Sequence, residues 1–527
     1  MRYLFVLITI AFVNLCVSYV KADTWDGISS DTSWYNEEQS EFHINSAAQL
    51  KGLADLVNND KISFDASTIY LDSDINLNNF QWVPIGIGKS NWNGAEFSGN
   101  FNGNGYAIDG LYIDCSNLPN YYMPAVGLFG YSYGEIRNLE VNGFIIINNE
   151  YYFQTMMECC FGGIVGNGNI ISDCKSDLNV FYNINTQWLT YIGYAAGKAK
   201  SISRVKTTGT FSQEVIYPGN FGCVVAFCDE VSECESSGVA EIRLTESSNN
   251  SFQGGIAGSS SVVNNCIFTG VFRMFADISN YKDGCIGGIV GNCSDVQNVI
   301  FAAKDYSNNM NTYNKGIICA PYDIPNVFNA YYLDSYDSGN GYGIPMSEDL
   351  LKSGNIIEGF SPDIWIFKTG HLPSLRSLRS KHRITFPIND GMVGVEVEEN
   401  DDITLNIEPN IGWQISYVYV NGEDVTNKLC GSKLILYNVM SDYDVTIVFK
   451  NDDSKVKELN SNFKDISLKL ENDSVVLSGL SANSLINVYK VDGQFIAKYV
   501  SDDSLKINLG KGAYIIQVED FSYKIII

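Results

Sequence analysis

The chain of 527 residues has only three histidines, His43, His371 and His382, and only 11 prolines. The histidines lie far apart, none beside a cysteine pair, and no HExxH occurs, so no metal-binding spacing exists. Neither a GxSxG string nor the context of a papain-like cysteine is present, which removes two common hydrolase signatures. Basic residues are scarce, 34 Lys and Arg against 60 Asp and Glu for a net charge of −26, and they never cluster. Nucleic acid and anionic membranes are therefore poor partners. Beyond the first 22 residues no stretch approaches the roughly 18 apolar residues that a membrane-spanning helix needs. Nothing in the composition calls for a cofactor.

What is present favours strands: 32 Tyr, 28 Phe and 47 Gly. The chain opens with Arg2, an apolar run from Leu4 to Val17, and small or medium residues at Val20 and Ala22. This is the pattern of a secretory signal, with cleavage expected after Ala22 and residues 1–22 removed. Cys16 follows Leu15, where a lipoprotein site needs a small residue, so no lipid anchor is read there. The expected location is secreted or outer cell surface. Thirteen cysteines less Cys16 leave twelve, and an even count in an exported chain suggests disulfides.

Glycine-rich strings recur as VGLFG, GGIVG, GYAAG, GCVVA, GGIAG and GGIVG, ending at residues 130, 166, 197, 226, 258 and 291. The steps of 36, 31, 29, 32 and 33 residues define a repeat. Five or six residues after each string comes Ile136, Ile171, Ile202, Val231, Val263 or Val296; three further on comes Leu139, Cys174, Val205, Cys234, Cys266 or Val299. Two such columns are the mark of an interior ladder. A unit this short, with no helical period, cannot bury its apolar face alone and must stack on its neighbours. The expected fold is all-β, a right-handed parallel β-helix, because β crossovers are overwhelmingly right-handed. GGIVGN, at Gly162 to Asn167 and Gly287 to Asn292, is then a coil signature; it precedes a strand and lacks the Lys-Ser/Thr of a phosphate loop.

Stacking in register also predicts charge pairing. Asn138, Asp173, Arg204, Glu233, Asn265 and Asn298 precede the second column, and Glu140, Lys175, Lys206, Glu235, Ile267 and Ile300 follow it. Arg204 then lies between Asp173 and Glu233, Glu140 faces Lys175, and Lys206 faces Glu235; only Lys175 and Lys206 are like-charged neighbours. Each opposite pair is worth a few tenths of a kcal/mol and discriminates against slipped registers.

The stretch FSGNFNGNGYAIDGLYI from Phe97, then VGLFGYSYGEIRNLEV and the GGIVG coils, resembles the GLUG-repeat surface proteins of Bacteroidetes-type bacteria. The same resemblance takes in TWDG at Thr24, the cap helix from Ser46 (about 46–58), the strand from Ile69, and Trp365, Gly370, Leu372, Pro373 and Leu375 as a closing W…GxLPxL. It implies one β-helix over 23–380. Residues 381–450 alternate as short strands, with a hairpin signal at Asn421-Gly422. They resemble an internalin-type B-repeat module. Residues 451–462 read as a linker, and 463–527 resemble the C-terminal sorting domain of type IX secretion through Asp492, Gly493, Gly512, Tyr514 and Lys524. Both small domains are expected to be β-sandwich-like, and the second implies passage across the outer membrane by the secretion machinery. An ordinary small β-sandwich is the alternative for that end.

Candidate chemistry is sparse. Cys174, Cys234 and Cys266 sit in an interior column as small apolar residues and are expected to be free thiols; Cys159 and Cys160, being adjacent, are not expected both to face the core. Asp72, Asp74 and Asn76 have the acid spacing of a calcium loop but lack its sixth-position glycine and twelfth-position glutamate, and fall on a strand with Ile75 and Leu77 inward. Asp173, Arg204 and Glu233 form the best catalytic candidate for a polysaccharide lyase or glycoside hydrolase, against their reading as a charge ladder. Aromatic residues between coils, Tyr121, Tyr122, Tyr151, Tyr152, Phe153, Trp188, Tyr331 and Tyr332, can stack on sugars or anchor a protein, or cover the seams of the coil. The leading expectation is a surface binding or adhesion module for glycans or for host or bacterial surface proteins; a β-helix enzyme and a structural stalk are the alternatives.

Overall fold

The computed structural model describes residues 23–526 apart from 60–61, 89–94, 119–124, 149–157, 183–188, 216–218, 245–250, 277–283, 309–314, 321–324, 337–341, 380, 389–390, 400, 410–412, 440, 452–466, 472–473, 492–493, 502 and 519–520. The expected signal and its cleavage site thus lie outside the described residues, as does most of the expected linker. The chain divides between Leu378 and Arg379 into two compact units.

The first unit is a parallel β-helix. In each coil a short strand runs into a glycine turn, a second strand leaves it, and a bend starts a third. The short strands, from Ala125–Val126 through Glu158–Phe161, Leu189–Gly193, Asn220–Gly222, Phe252–Gly254 and Cys285–Gly287 to Lys315–Gly316, make a seven-stranded parallel sheet. Gly193, Gly222, Gly254, Gly287 and Gly316 are register partners in turn. A Cβ on Gly222 would overlap the Val225 carbonyl oxygen and crowd the backbone of Gly258 and Ala257 in the next coil. That close approach is what the repeated glycine string encodes.

The first interior column stacks as expected, Ile136 on Ile171, Ile202, Val231, Val263 and Val296. All six are buried, and each contributes roughly 1.5–3 kcal/mol of burial. Cys174 pairs with Val205, and Cys266 with Val299. The charge predictions hold: Lys175 is in register with Glu140 at 4.0 Å, and Lys206 with Glu235 at 3.7 Å. Lys175 and Lys206 are direct register partners, the one like-charged step.

Between the two columns the structure differs from a plain outward strand position. Asn138, Asp173, Arg204, Glu233, Asn265, Asn298 and Asn329 all have φ between 49° and 54°. One left-handed residue per coil makes the corner, and asparagine tolerates that conformation better than most side chains. The thiols of Cys174, Cys234 and Cys266, each following a corner, donate to the carbonyls of Ser172, Ser232 and Asn264 at 3.1–3.2 Å. None of the twelve described cysteines is in a disulfide, as expected for Cys174, Cys234 and Cys266 and against the pairing that the even count suggested, and of the twelve only Cys430 is exposed.

Both ends of the stack are closed by apolar packing. The helix Ala47–Asn58 begins one residue after Ser46, whose hydroxyl accepts from the Gln49 amide at 3.2 Å, and buries Leu50, Leu53, Leu56 and Val57 in the β-helix core. Near the other end Leu351, Ile357, Phe360, Trp365, Leu375 and Leu378 pack on Ile267, Ile300 and Tyr331. These last three are successive register partners at an outward position. The charged residues of earlier coils give way to apolar ones there because the closing segment covers them. Trp365 is fully buried and its indole donates to Asn265 Oδ1 at 3.0 Å.

In the second unit, residues 381–451 form a five-stranded sheet with a two-stranded companion. Asn421 and Gly422 have φ of 48° and 83° and join Trp413–Val420 to Glu423–Asp424, the left-handed pair of a tight hairpin. Residues 467–526 form a three-stranded and a four-stranded antiparallel sheet around Val475, Leu477, Ile486, Val488 and Ile516.

Candidate functional site

The corner column places Asp173, Arg204 and Glu233 on three successive coils. Arg204 Nε and one terminal nitrogen donate to the two carboxylate oxygens of Asp173 at 2.6 and 2.7 Å, a bidentate pair. The hydrogen bonds that Arg204 donates to Asp173, and after them the charges of Asp173 and Glu233, hold the Arg204 pKa above the ordinary arginine value against the effect of burial. Ile171 and Cys174 on either side of the bend are buried, and Asp173 at the bend is exposed. Two carboxylates two coils apart are about 9.6 Å apart along the stack, at the outer limit of the spacing that inverting glycosidases use. Yet the guanidinium between them engages both oxygens of one. The arrangement is a charge ladder.

The calcium-like spacing also resolves into turn chemistry. Asp72 takes the ring nitrogen of His43 at 3.0 Å, Asp74 accepts from the Ala107 amide at 2.9 Å, and Asn76 accepts from the Asn78 amide at 2.7 Å. Ile75 and Leu77 are buried. Among the described residues no three His, Cys, Asp or Glu side chains converge as a metal site.

Of the aromatic candidates, Tyr121, Tyr122, Tyr151, Tyr152, Phe153 and Trp188 lie outside the described residues. Tyr331 and Tyr332 do not serve as surface rings: both are buried, Tyr331 against Phe360 with its hydroxyl donating to the Glu358 carbonyl at 3.2 Å, and Tyr332 in the coil core. For Tyr331 the reason is the closing segment, which covers an outward position, and for Tyr332 it is strand alternation, which turns it inward over Phe301. In the sorting-like motif, Asp492 and Gly493 lie outside the described residues, Tyr514 donates to the Gly510 carbonyl at 2.9 Å, and Lys524 pairs in register with Ile515.

A different group comes together outside the core, where the short strand and the strand after the glycine turn meet. Tyr131, Asn167, Lys198, Phe227, Ser259 and Asn292, each the residue directly after the last position of the glycine string, are consecutive register partners. Beside them run Cys160, Tyr191 and Asn220 on the short strands. Lys198 Nζ stands 4.1 Å from the Tyr191 ring centre and 5.3 Å from that of Phe227, and forms an ion pair with Glu158. Tyr191 and Phe227 meet edge to face at 6.1 Å. Burial works against the Lys198 charge, but the Glu158 hydrogen bond and the surrounding charges keep its pKa above the ordinary lysine value. Burial pushes the Cys160 thiol well up, with Glu158 adding to it, so the sulfur is no nucleophile.

Cys159 faces the core and Cys160 the outside, as adjacency requires, but Cys160 is buried too, under Tyr191 and Tyr131 against Ala125 and Ala226. The two adjacent cysteines thus do not share the core, as expected, and Cys160 is sheltered by a small outer cluster of its own. The row was legible as the position following each glycine string; it escapes notice because that position varies in chemistry from coil to coil.

The structure also brings rows of strand ends together. Ile147 is in register with Tyr182, and Val215 with Leu244 and Ala276, where five of the segments between the bend-born strands and the next short strands begin. No helix is long and apolar enough to cross a membrane among the described residues.

No protein-family model matches this chain, and no curated protein matches it. Among solved structures the chain is similar to that of a Bacteroides ovatus protein provisionally assigned as an immunoglobulin A1 protease, with 16% identity, a TM-score of 0.35, and coverage of 65% of this chain and 94% of that one.

Proposed function

We propose that the protein is an exported surface module of the GLUG-repeat kind that binds glycans or surface proteins through the side of its β-helix, with a C-terminal domain read by a type IX-like secretion system. The observation that supports this is that strands of neighbouring coils end in register where inter-coil segments begin, Ile147 with Tyr182 and Val215 with Leu244 and Ala276. Those segments carry Tyr151, Tyr152 and Trp188 among other rings in the sequence. A solenoid multiplies one surface position along its length, which suits an extended or repeating ligand. The Asp173–Arg204 pair weighs against a hydrolytic role because the acid is already engaged.

The test is binding of the chain from Asp23 to Ile527 to a glycan array and to surface-protein extracts, with sugar and unsaturated uronate release assayed in parallel. Saturable binding without turnover is expected. Turnover abolished by Asp173→Asn or Glu233→Gln would overturn the binding-module reading, as would failure to bind any member of either panel.

A further inference from the structure

From the row that follows the glycine strings, we infer a glycan subsite for an uncharged linear polysaccharide lying along the helix axis over Tyr131, Asn167, Lys198 and Phe227. This rests on the binding-module reading and names its ligand class. Four successive coils place these side chains about 4.8 Å apart, so the row is about 14 Å long from first to last. It offers, in order, a phenol ring, an amide, an ammonium and a phenyl ring, all four partly accessible, with Phe227 38% exposed. Sugar rings present an apolar face and a polar edge, and are held by ring faces interleaved with a few placed hydrogen-bonding groups.

Charge selects the class of sugar. On a chain of net charge −26 this row contains one charged residue, Lys198, and Glu158 already neutralises it. A polyanion gains nothing from a compensated lysine and is repelled by the rest of the surface; a polycation finds its acids elsewhere. The Lys198 ammonium, held between Tyr191, Phe227 and Glu158, keeps a fixed position as a donor to a hydroxyl. Among the described residues the Asn167 side chain has no hydrogen-bond partner, so its donor and acceptor are both open to a ligand. Ser259 and Asn292 continue the row past Phe227.

The experiment is titration calorimetry of the chain from Asp23 to Ile527 with neutral gluco-, manno- and xylo-oligosaccharides of two to eight units, beside oligogalacturonate. Variants Phe227→Ala and Asn167→Ala are measured with circular dichroism as the check on folding; Asn167 packs in no core cluster, so its variant covers the case of a misfolded Phe227→Ala. The expected result is binding of at least one neutral series that strengthens up to about four units, weakened roughly 2- to 13-fold by Phe227→Ala and measurably by Asn167→Ala. Neutral-glycan binding unaffected by either folded variant would overturn the subsite, as would preference for oligogalacturonate. If the chain binds protein ligands but no glycan, the inference falls and the binding-module reading survives; if it binds neither, both fall.

Discussion

Replacing Glu233 by asparagine should stabilise the protein, although it deletes a charge from a ladder. At φ 51° Glu233 holds a conformation that costs an ordinary L-residue about 1–2 kcal/mol, and asparagine pays only part of that. Among the described residues Glu233 acts on Arg204 through its charge, without an ion pair within 4 Å, so the gain is expected at about 0.5–1 kcal/mol. Arg204→Asn relieves the same backbone cost at φ 52° but breaks the bidentate bond to Asp173, whose side chains are 37% and 36% exposed. A pair that exposed is worth about 0.2–1 kcal/mol, so the two effects nearly cancel. Asp173→Asn gains no backbone relief and should cost about 0.2–1 kcal/mol. The order Glu233→Asn, Arg204→Asn, Asp173→Asn is read from urea midpoints followed by tryptophan fluorescence at fixed pH and salt. If Glu233→Asn lowers the midpoint, or all three variants lower it alike, the corner is held strained for some purpose other than turning the chain.

Trp365→Phe should cost about 1–3 kcal/mol, since it orphans the buried Asn265 carbonyl oxygen, and a still larger loss is expected for Trp365→Ala. Gly222→Ala should destabilise by about 1–3 kcal/mol through overlap with the neighbouring coil, measured as a shifted urea midpoint. The native chain from Asp23 to Ile527 should bind one equivalent of a thiol reagent, at Cys430, and its remaining cysteines should react only on unfolding. Burial raises several of those thiols, Cys174 to about 12, so the unfolded state loses their protons first as pH rises. Stability is therefore fully present below the ordinary thiol range and should fall as pH climbs above about 8.5, more steeply than in a Cys174→Ala, Cys223→Ala variant.

The period, the two interior columns, the cap helix and the hairpin at Asn421 were legible because each depends on local chemistry: glycine where backbones touch, apolar residues where the core begins, Ser46 at a helix start, Asn-Gly at a tight turn. The pairing of Glu140 with Lys175 and of Lys206 with Glu235 was legible for the same reason, since parallel stacking turns a repeat alignment directly into contacts. The left-handed corner was in view as a run of asparagines, but Asp173, Arg204 and Glu233 interrupt it and read as ordinary outward strand residues.

The sequence by itself determined which residues lie over one another, because a parallel coil has one period and slipping it would expose an apolar column. Which outward positions remain outward was decided by the tertiary structure alone. Tyr331 and Tyr332 disappear beneath or within the closing coils, Ile267 and Ile300 are covered by a segment that comes later in the chain, and Lys198 meets Glu158 only where two strands of different coils converge. Those contacts join positions that share no period, so no local pattern in the chain records them.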